Sequence, residues 1–197
     1  MQLSLTETEG TDYRVRMRSG SSGIAIMAIH GGGIEPGTTE IAEAIAGACH
    51  SFYTFSGLKK KGNKSLHITS SSFDEPRGLG IAASAFAVLS IHGCGDAADL
   101  IYLGGKNSEL TSAIKRSLSN SGFAAGYSVR FPGMNPSNIC NRCRCGAGVQ
   151  LEICLGLRKR MFEYLDRSKR LKPTEVFHIF VDSIKSALNG FRIFDAN

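Results

Sequence analysis

Two stretches of this chain are apolar almost without interruption: residues 24–29 (Ile-Ala-Ile-Met-Ala-Ile) and 86–91 (Phe-Ala-Val-Leu-Ser-Ile). A strand with one wet face alternates apolar and polar residues, so runs of this kind predict strands covered on both faces. Shorter runs at 52–55, 66–69 and 100–103 read as further strands, and 149–155, which alternates in part, as another. Between them the spacing becomes helical. After Pro36-Gly37, Thr38 or Thr39 is placed to cap a helix from Glu40 to about Cys49, with Ile41, Ala44, Ile45 and Ala48 on one face. Leu110, Ile114 and Leu118, four apart, predict an amphipathic helix over 107–118.

Two helices close the chain within 156–190. The first carries Leu157, Met161 and Leu165; the second runs from Thr174 to about Leu188, with Phe177, Phe180, Val181 and Ile184 on one side. Residues 59–64 read as a charged loop and 126–147 as irregular. Strands alternating with helices predict one α/β domain over 1–197, a mixed, mostly parallel open sheet flanked by helices. No repeat or linker divides it.

Composition changes this picture little. At 197 residues the chain is long enough to bury a core without staples. No apolar run approaches the ~20 residues of a membrane helix, and the polar start Met1-Gln2-Leu3-Ser4-Leu5-Thr6-Glu7 is unlike a signal peptide. The expectation is a cytoplasmic monomer, or one released by cell lysis, without a membrane partner. The six cysteines, Cys49, Cys94, Cys140, Cys143, Cys145 and Cys154, then read as reduced thiols. The net charge of +6 favours an anionic partner, acidic polymer and nucleic acid alike. Part of it lies in Arg158, Lys159, Arg160, Arg167, Lys169, Arg170 and Lys172, which read as a solvated helix face.

The chemistry concentrates where the two long runs end. Both close on Ile-His-Gly, at His30 and at His92. In open α/β sheets, sites gather beyond the carboxyl ends of strands. The first histidine continues into Gly31-Gly32-Gly33-Ile34-Glu35. Donors five apart do not share a helix face, but three glycines let the backbone fold back and bring them together. His30, Glu35 and His92 would then form a zinc set with one position free for water. A lone histidine at a strand end reads equally well as a hydrogen-bonded core residue, and the residues alone leave both open.

A zinc hydrolase also needs a base that is not a ligand. Glu152, inside the apolar strand over 149–155, is the best placed, because a carboxylate there needs a partner or a polar cleft; the alternative is a glutamate on a solvated face. Asp74 and Glu75, before Pro76, are weaker candidates that suit a turn.

Five motifs occur in order: Ala28-Ile29-His30-Gly31-Gly32-Gly33-Ile34-Glu35, Leu66-His67-Ile68-Thr69-Ser70, Phe73-Asp74-Glu75-Pro76, Ser90-Ile91-His92-Gly93 and Gly148-Val149-Gln150-Leu151-Glu152. Together they resemble the poly-γ-glutamate hydrolase family of Bacillus phages and prophages, over about residues 13–162. The resemblance implies a zinc carboxypeptidase-like fold and one zinc held by His30, Glu35 and His92. It also implies Glu152 as general base and cleavage of γ-glutamyl amide bonds.

On that reading Arg142 or Arg144 stabilises the oxyanion or grips a substrate carboxylate through a bidentate fork; solvated loop charges are the alternative. His67, by alternation, points away from its apolar neighbours to contact substrate or a ligand. His50 and His178 read as surface residues. Cys94 and the run Cys140-Asn141-Arg142-Cys143-Arg144-Cys145 depart from the resemblance. Two other functions compete: an acylamino-acid or N-acylglutamate deacylase with the same zinc set, and a non-enzymatic nucleic-acid module with a metal on the cysteines. A closed pocket favours the first, and metal on sulfur the second.

Overall fold

A computed structural model describes residues 6–166 and 172–191. Seven strands form one mixed sheet: β1 (Tyr13–Arg18), β2 (Ile24–Gly32), β3 (Ser51–Gly57), β4 (Ala87–Cys94), β5 (Ile101–Gly104), β6 (Ala125–Tyr127) and β7 (Val149–Cys154). Their order across the sheet is β1-β3-β2-β4-β7-β5-β6. The middle four, β3-β2-β4-β7, run parallel, while β1 joins β3 and β5 joins β7 antiparallel. Five helices accompany them: α1 (Thr38–Ala46), α2 (Pro76–Ser84), α3 (Ser108–Asn120), α4 (Leu155–Met161) and α5 (Glu175–Gly190). No helix of the described residues is long and apolar enough to cross a membrane.

The unbroken apolar runs are explained by two cores, one on each face. Along β2, Ile24, Ile26 and Ala28 enter a cluster with residues of α1, α3, α4 and α5. Ala25, Met27 and Ile29 enter a second, with Tyr53, Phe55, Phe73 and Ile81. A strand with period-2 side chains must be apolar at every position to serve both. The same parity on β7 sends Val149, Leu151 and Ile153 into the first cluster, so Gln150, Glu152 and Cys154 face the other way.

Several elements differ from the sequence pattern. β1 was not anticipated: Tyr13-Arg14-Val15-Arg16-Met17-Arg18 alternates, but only Tyr13 is buried, and an edge strand studded with arginine carries little apolar signal. α2 was missed because Gly78 and Gly80 depress helix propensity. It is started by Pro76 and by the Glu75 side chain, which accepts from the Gly78 N–H at 2.7 Å. Residues 66–69 are not a strand. A 3-10 turn over Asn63–Leu66 leads into an irregular segment anchored by the buried Leu66.

Helix α1 begins at Thr38, with Gly37 rather than a threonine in the capping position. Residues 126–147 are irregular apart from the end of β6 and a 3-10 turn, Ile139–Asn141. His50 is buried, its Nδ1 2.6 Å from Ser22 Oγ, whereas His178 is exposed. All six cysteines are free thiols, and only Cys49 and Cys145 are exposed. In the basic segment Lys159 and Arg160 are exposed. Arg158 is not: it is 3% accessible. Arg167, Lys169 and Arg170 lie outside the described residues.

Candidate metal centre

The site forms where β2, β4 and β7 end side by side. At the end of β2 the register against β3 shifts between Ala28 and Gly31, and Gly32 takes a φ of +65°, open mainly to glycine. A side chain at Gly31 would place its Cβ 2.1 Å from Thr39 Oγ1. The glycines therefore let the chain pack against β3 and α1 while it doubles back. The Glu35 N–H bonds the carbonyl of His30 at 2.8 Å, which brings His30 Nδ1 within 2.9 Å of Glu35 Oε1.

His92 comes from the neighbouring strand. Its Nδ1 lies 3.1 Å from His30 Nδ1 and 3.6 Å from Glu35 Oε2. The far side of each ring fixes what these nitrogens present. His30 Nε2 is 2.6 Å from the carbonyl of Ile68, which can only accept, so that nitrogen carries the proton and Nδ1 presents a lone pair. His92 Nε2 meets the hydroxyls of Ser90 at 2.9 Å and Ser70 at 3.4 Å. The Gly93 N–H holds Glu35 Oε2 at 2.9 Å. Two imidazoles and a carboxylate thus converge, their ligand atoms all within 4.8 Å of one another.

Charge matches this arrangement at Glu35 and His30, whereas burial of His92 is outweighed by Glu35 and Glu152, which hold its imidazole above the usual range. Burial pushes the Glu35 carboxyl up, but His30, His67 and His92 outweigh it and hold it well below the usual carboxylate range. Burial pulls His30 down, toward the neutral imidazole. His67 reaches the group from the irregular segment, not from a strand. Its ring stacks on His30 at 3.9 Å and its Nε2 lies 3.5 Å from Glu35 Oε1.

Glu152 is the register partner of His92 across β4 and β7. It makes no hydrogen bond to the described residues. Burial pushes its carboxyl up to about 7, with the nearby Glu35 adding to the rise and His92 opposing it. Glu75 lies elsewhere: it accepts from the Tyr53 hydroxyl, the Gly78 N–H and the Arg77 guanidinium, each at 2.7 Å.

These groups line a cleft of ≈ 480 Å³, together with Thr69, Ser70, Asn138, Gln150 and the cation Arg130. A second cavity of ≈ 520 Å³, with Lys64 and Arg158 on its wall, meets the first at Glu35, His67, Gly93 and Cys94. Arg142 and Arg144 line neither. The Arg142 guanidinium donates to the carbonyl of Phe73 at 3.0 Å, and Arg144 is exposed. The structure brings together His30, Glu35, His67, His92 and Glu152, but not these two arginines.

Arg158 is not part of the solvated helix face that its basic stretch predicts. Its guanidinium donates to the carbonyls of Pro36 at 2.7 Å, Cys94 at 2.8 Å and Ile153 at 3.0 Å. Those carbonyls follow Glu35, His92 and Glu152 by one, two and one residues. One buried cation therefore ties the three segments that carry the site. It fits only because position 93 is glycine: a Cβ there would stand 2.6 Å from the guanidinium carbon. Locally Arg158 is indistinguishable from Lys159 and Arg160.

Comparison with known proteins agrees with this geometry. The family model described as poly-gamma-glutamate hydrolase matches residues 1–183. UPF0714 protein YndL of Bacillus subtilis (strain 168) is 35% identical over 176 residues, which are 87% of this chain and 69% of that protein. The solved structure of a bacteriophage poly-gamma-glutamate hydrolase superposes with a TM-score of 0.91 at 35% identity, covering 94% of this chain and 92% of that one. The zinc-free apo structure of YNDL gives 0.91 at 34% identity, covering 95% and 94%. With residues 1–183 matched and the fold shared at that level, the chain belongs to the poly-γ-glutamate hydrolase family and is a hydrolytic enzyme.

Proposed function

We propose that this chain cleaves γ-glutamyl amide bonds of poly-γ-glutamate as a zinc enzyme, with one zinc on His30, Glu35 and His92 and Glu152 as general base. The convergence of two imidazole nitrogens and a carboxylate carries this reading. At Zn–N distances of about 2.0–2.1 Å, a tetrahedral ion sets neighbouring donors about 3.3 Å apart. The Nδ1 pair at 3.1 Å and the Nδ1–Oε1 pair at 2.9 Å are close to that spacing before any ion is added. The Ile68 carbonyl on the far side of His30 is the kind of partner that orients a ligating imidazole. Zinc bound there supplies Lewis acidity and lowers the pKa of a coordinated water to about 7.

The remaining work falls to the chain's own groups. Glu152 keeps its lone pairs for the cleft, and its carboxyl titrates near neutrality. It takes a proton from the attacking water and returns it to the amine nitrogen as the C–N bond breaks. Arg130, held by Asp96 at 2.6 Å, is the cation on the cleft wall. It is better placed than Arg142 or Arg144 to meet an α-carboxylate of the polymer. Gln150 and Asn138, joined at 2.8 Å, offer amides beside it. His67, stacked on His30, contacts the carbonyl side of the substrate. The net charge of +6 draws in a polyanion.

An acylamino-acid or N-acylglutamate deacylase would use the same zinc set. Two cavities meeting at Glu35 and Gly93 favour a polymer passing through over a small substrate in a closed pocket. The test is bound zinc and γ-amide hydrolysis for the parent, His30→Ala and Glu152→Gln. His30→Ala is expected to lose one equivalent of zinc together with activity; Glu152→Gln is expected to keep the metal and lose turnover. Full activity in Glu152→Gln would remove the proposed base, and a zinc content in His30→Ala equal to the parent's would remove the proposed ligand set.

A further inference from the structure

Beside the His92–Glu152 pair lies a second pair with its own chemistry. Cys94 and Cys154 are register partners on β4 and β7. Each stands two residues beyond its neighbour in the first pair, so by strand parity all four side chains share one face. Their sulfurs are 3.5 Å apart. Asp96 supplies a carboxylate, and the three ligand atoms all lie within 4.8 Å of one another.

We propose that Cys94, Cys154 and Asp96 form a second cation site in the cleft wall, for thiophilic d10 ions such as Cd2+ or Zn2+. Spacing favours this over a disulfide. A tetrahedral ion with bonds to sulfur of about 2.3 Å holds two sulfurs about 3.8 Å apart, a few tenths of an ångström from what is found. A disulfide requires closure to about 2.05 Å, roughly 1.5 Å nearer. The carboxylate is already aimed, since Asp96 Oδ2 accepts from Tyr102 OH at 3.0 Å and Arg130 Nη2 at 2.6 Å, while Oδ1 makes no hydrogen bond to the described residues. Arg130 is the opposing charge, and the donor set of two sulfurs and one carboxylate selects sulfur-seeking ions over Mg2+ or Ca2+, which need more oxygen than one carboxylate gives. Cys94 lines both cavities, so an ion enters from the cleft. The other close thiols, Cys143 and Cys145 at 3.7 Å, belong to no group of three possible donors among the described residues.

An ion in this site occupies the wall beside Glu152, and turnover falls as it fills. The binding itself is independent of the zinc reading above. The experiment titrates the zinc-loaded full-length protein with CdCl2 under a non-thiol reductant and follows the thiolate-to-cadmium charge-transfer band in the near ultraviolet. The expected result is a saturable band at one equivalent. Cys154→Ser loses it, and the double variant Cys143→Ser/Cys145→Ser keeps it. His30→Ala also keeps it, whatever becomes of the zinc. Should Cys154→Ser not fold, Asp96→Asn takes its place, with the band retained and the titration shifted to higher cadmium. A parent without the band, a band that survives in Cys154→Ser, or an unshifted Asp96→Asn overturns the site. So does a parent that takes up no cadmium but forms a Cys94–Cys154 disulfide on oxidation.

Discussion

Glu75 and Glu152 both stand among apolar neighbours, and in sequence both are candidate bases. Around Glu75 three of the four acceptor positions are taken: a tyrosine hydroxyl, a backbone N–H and a guanidinium each donate at 2.7 Å. Its carboxylate starts α2 and binds it to β3, and it lines neither cavity of the site. Glu152 is half-buried, but it borders the cleft and makes no hydrogen bond to the described residues. Burial without compensation lifts its carboxyl to about 7. Apolar surroundings alone therefore do not distinguish a structural carboxylate from a chemical one. The distinction lies in whether the protein spends the lone pairs itself.

The comparison breaks first at Glu152→Gln. Its kcat should fall by about 10²–10⁴-fold, the usual contribution of a general base, at unchanged zinc content. Glu75→Gln should leave kcat within a few-fold; equal losses in both variants would end the distinction.

The next effect is on pH-dependent stability. A carboxyl raised from 4.5 to about 7 binds its proton more tightly folded than unfolded. Its contribution is therefore present at low pH, and the metal-free parent should lose stability as pH rises through that interval. Unfolding by urea should show metal-free Glu152→Gln gaining up to about 3 kcal/mol over the parent near pH 8, and nothing near pH 4.

Glu75→Ala strips a helix cap and orphans the Tyr53 hydroxyl, at a cost of about 2–3 kcal/mol, measurable as a lowered Tm. Arg158→Lys cannot hold three carbonyls in one plane, so zinc affinity should weaken by about 10–100-fold, read by competition with a chelator. The smallest effect is expected at Arg142→Ala, whose guanidinium serves Phe73: KM and kcat near those of the parent.

Much of this was legible along the chain. β2 and β4 announced themselves because a strand between two cores must be apolar at nearly every position, and β7 through its partial alternation. The five residues His30, Glu35, His67, His92 and Glu152, which share the cleft, were all singled out, four of them on local grammar. Strand alternation does not place His67, which sits in an irregular segment whose Ile68 carbonyl holds His30. Edge strand β1 and glycine-bearing α2 were not legible, since their stability comes from what they pack against.

The sequence by itself determined which residues end buried strands and where glycine lets His30 and Glu35 meet, because both follow from local sterics and hydrophobic period. Only the tertiary structure decided which cations matter. Arg158 is buried among three carbonyls and Arg130 lines the cleft, while Arg142 turns to Phe73. A guanidinium reads the same in any basic stretch; its role is set by acceptors that arrive from distant strands, and those are assembled only when the sheet closes.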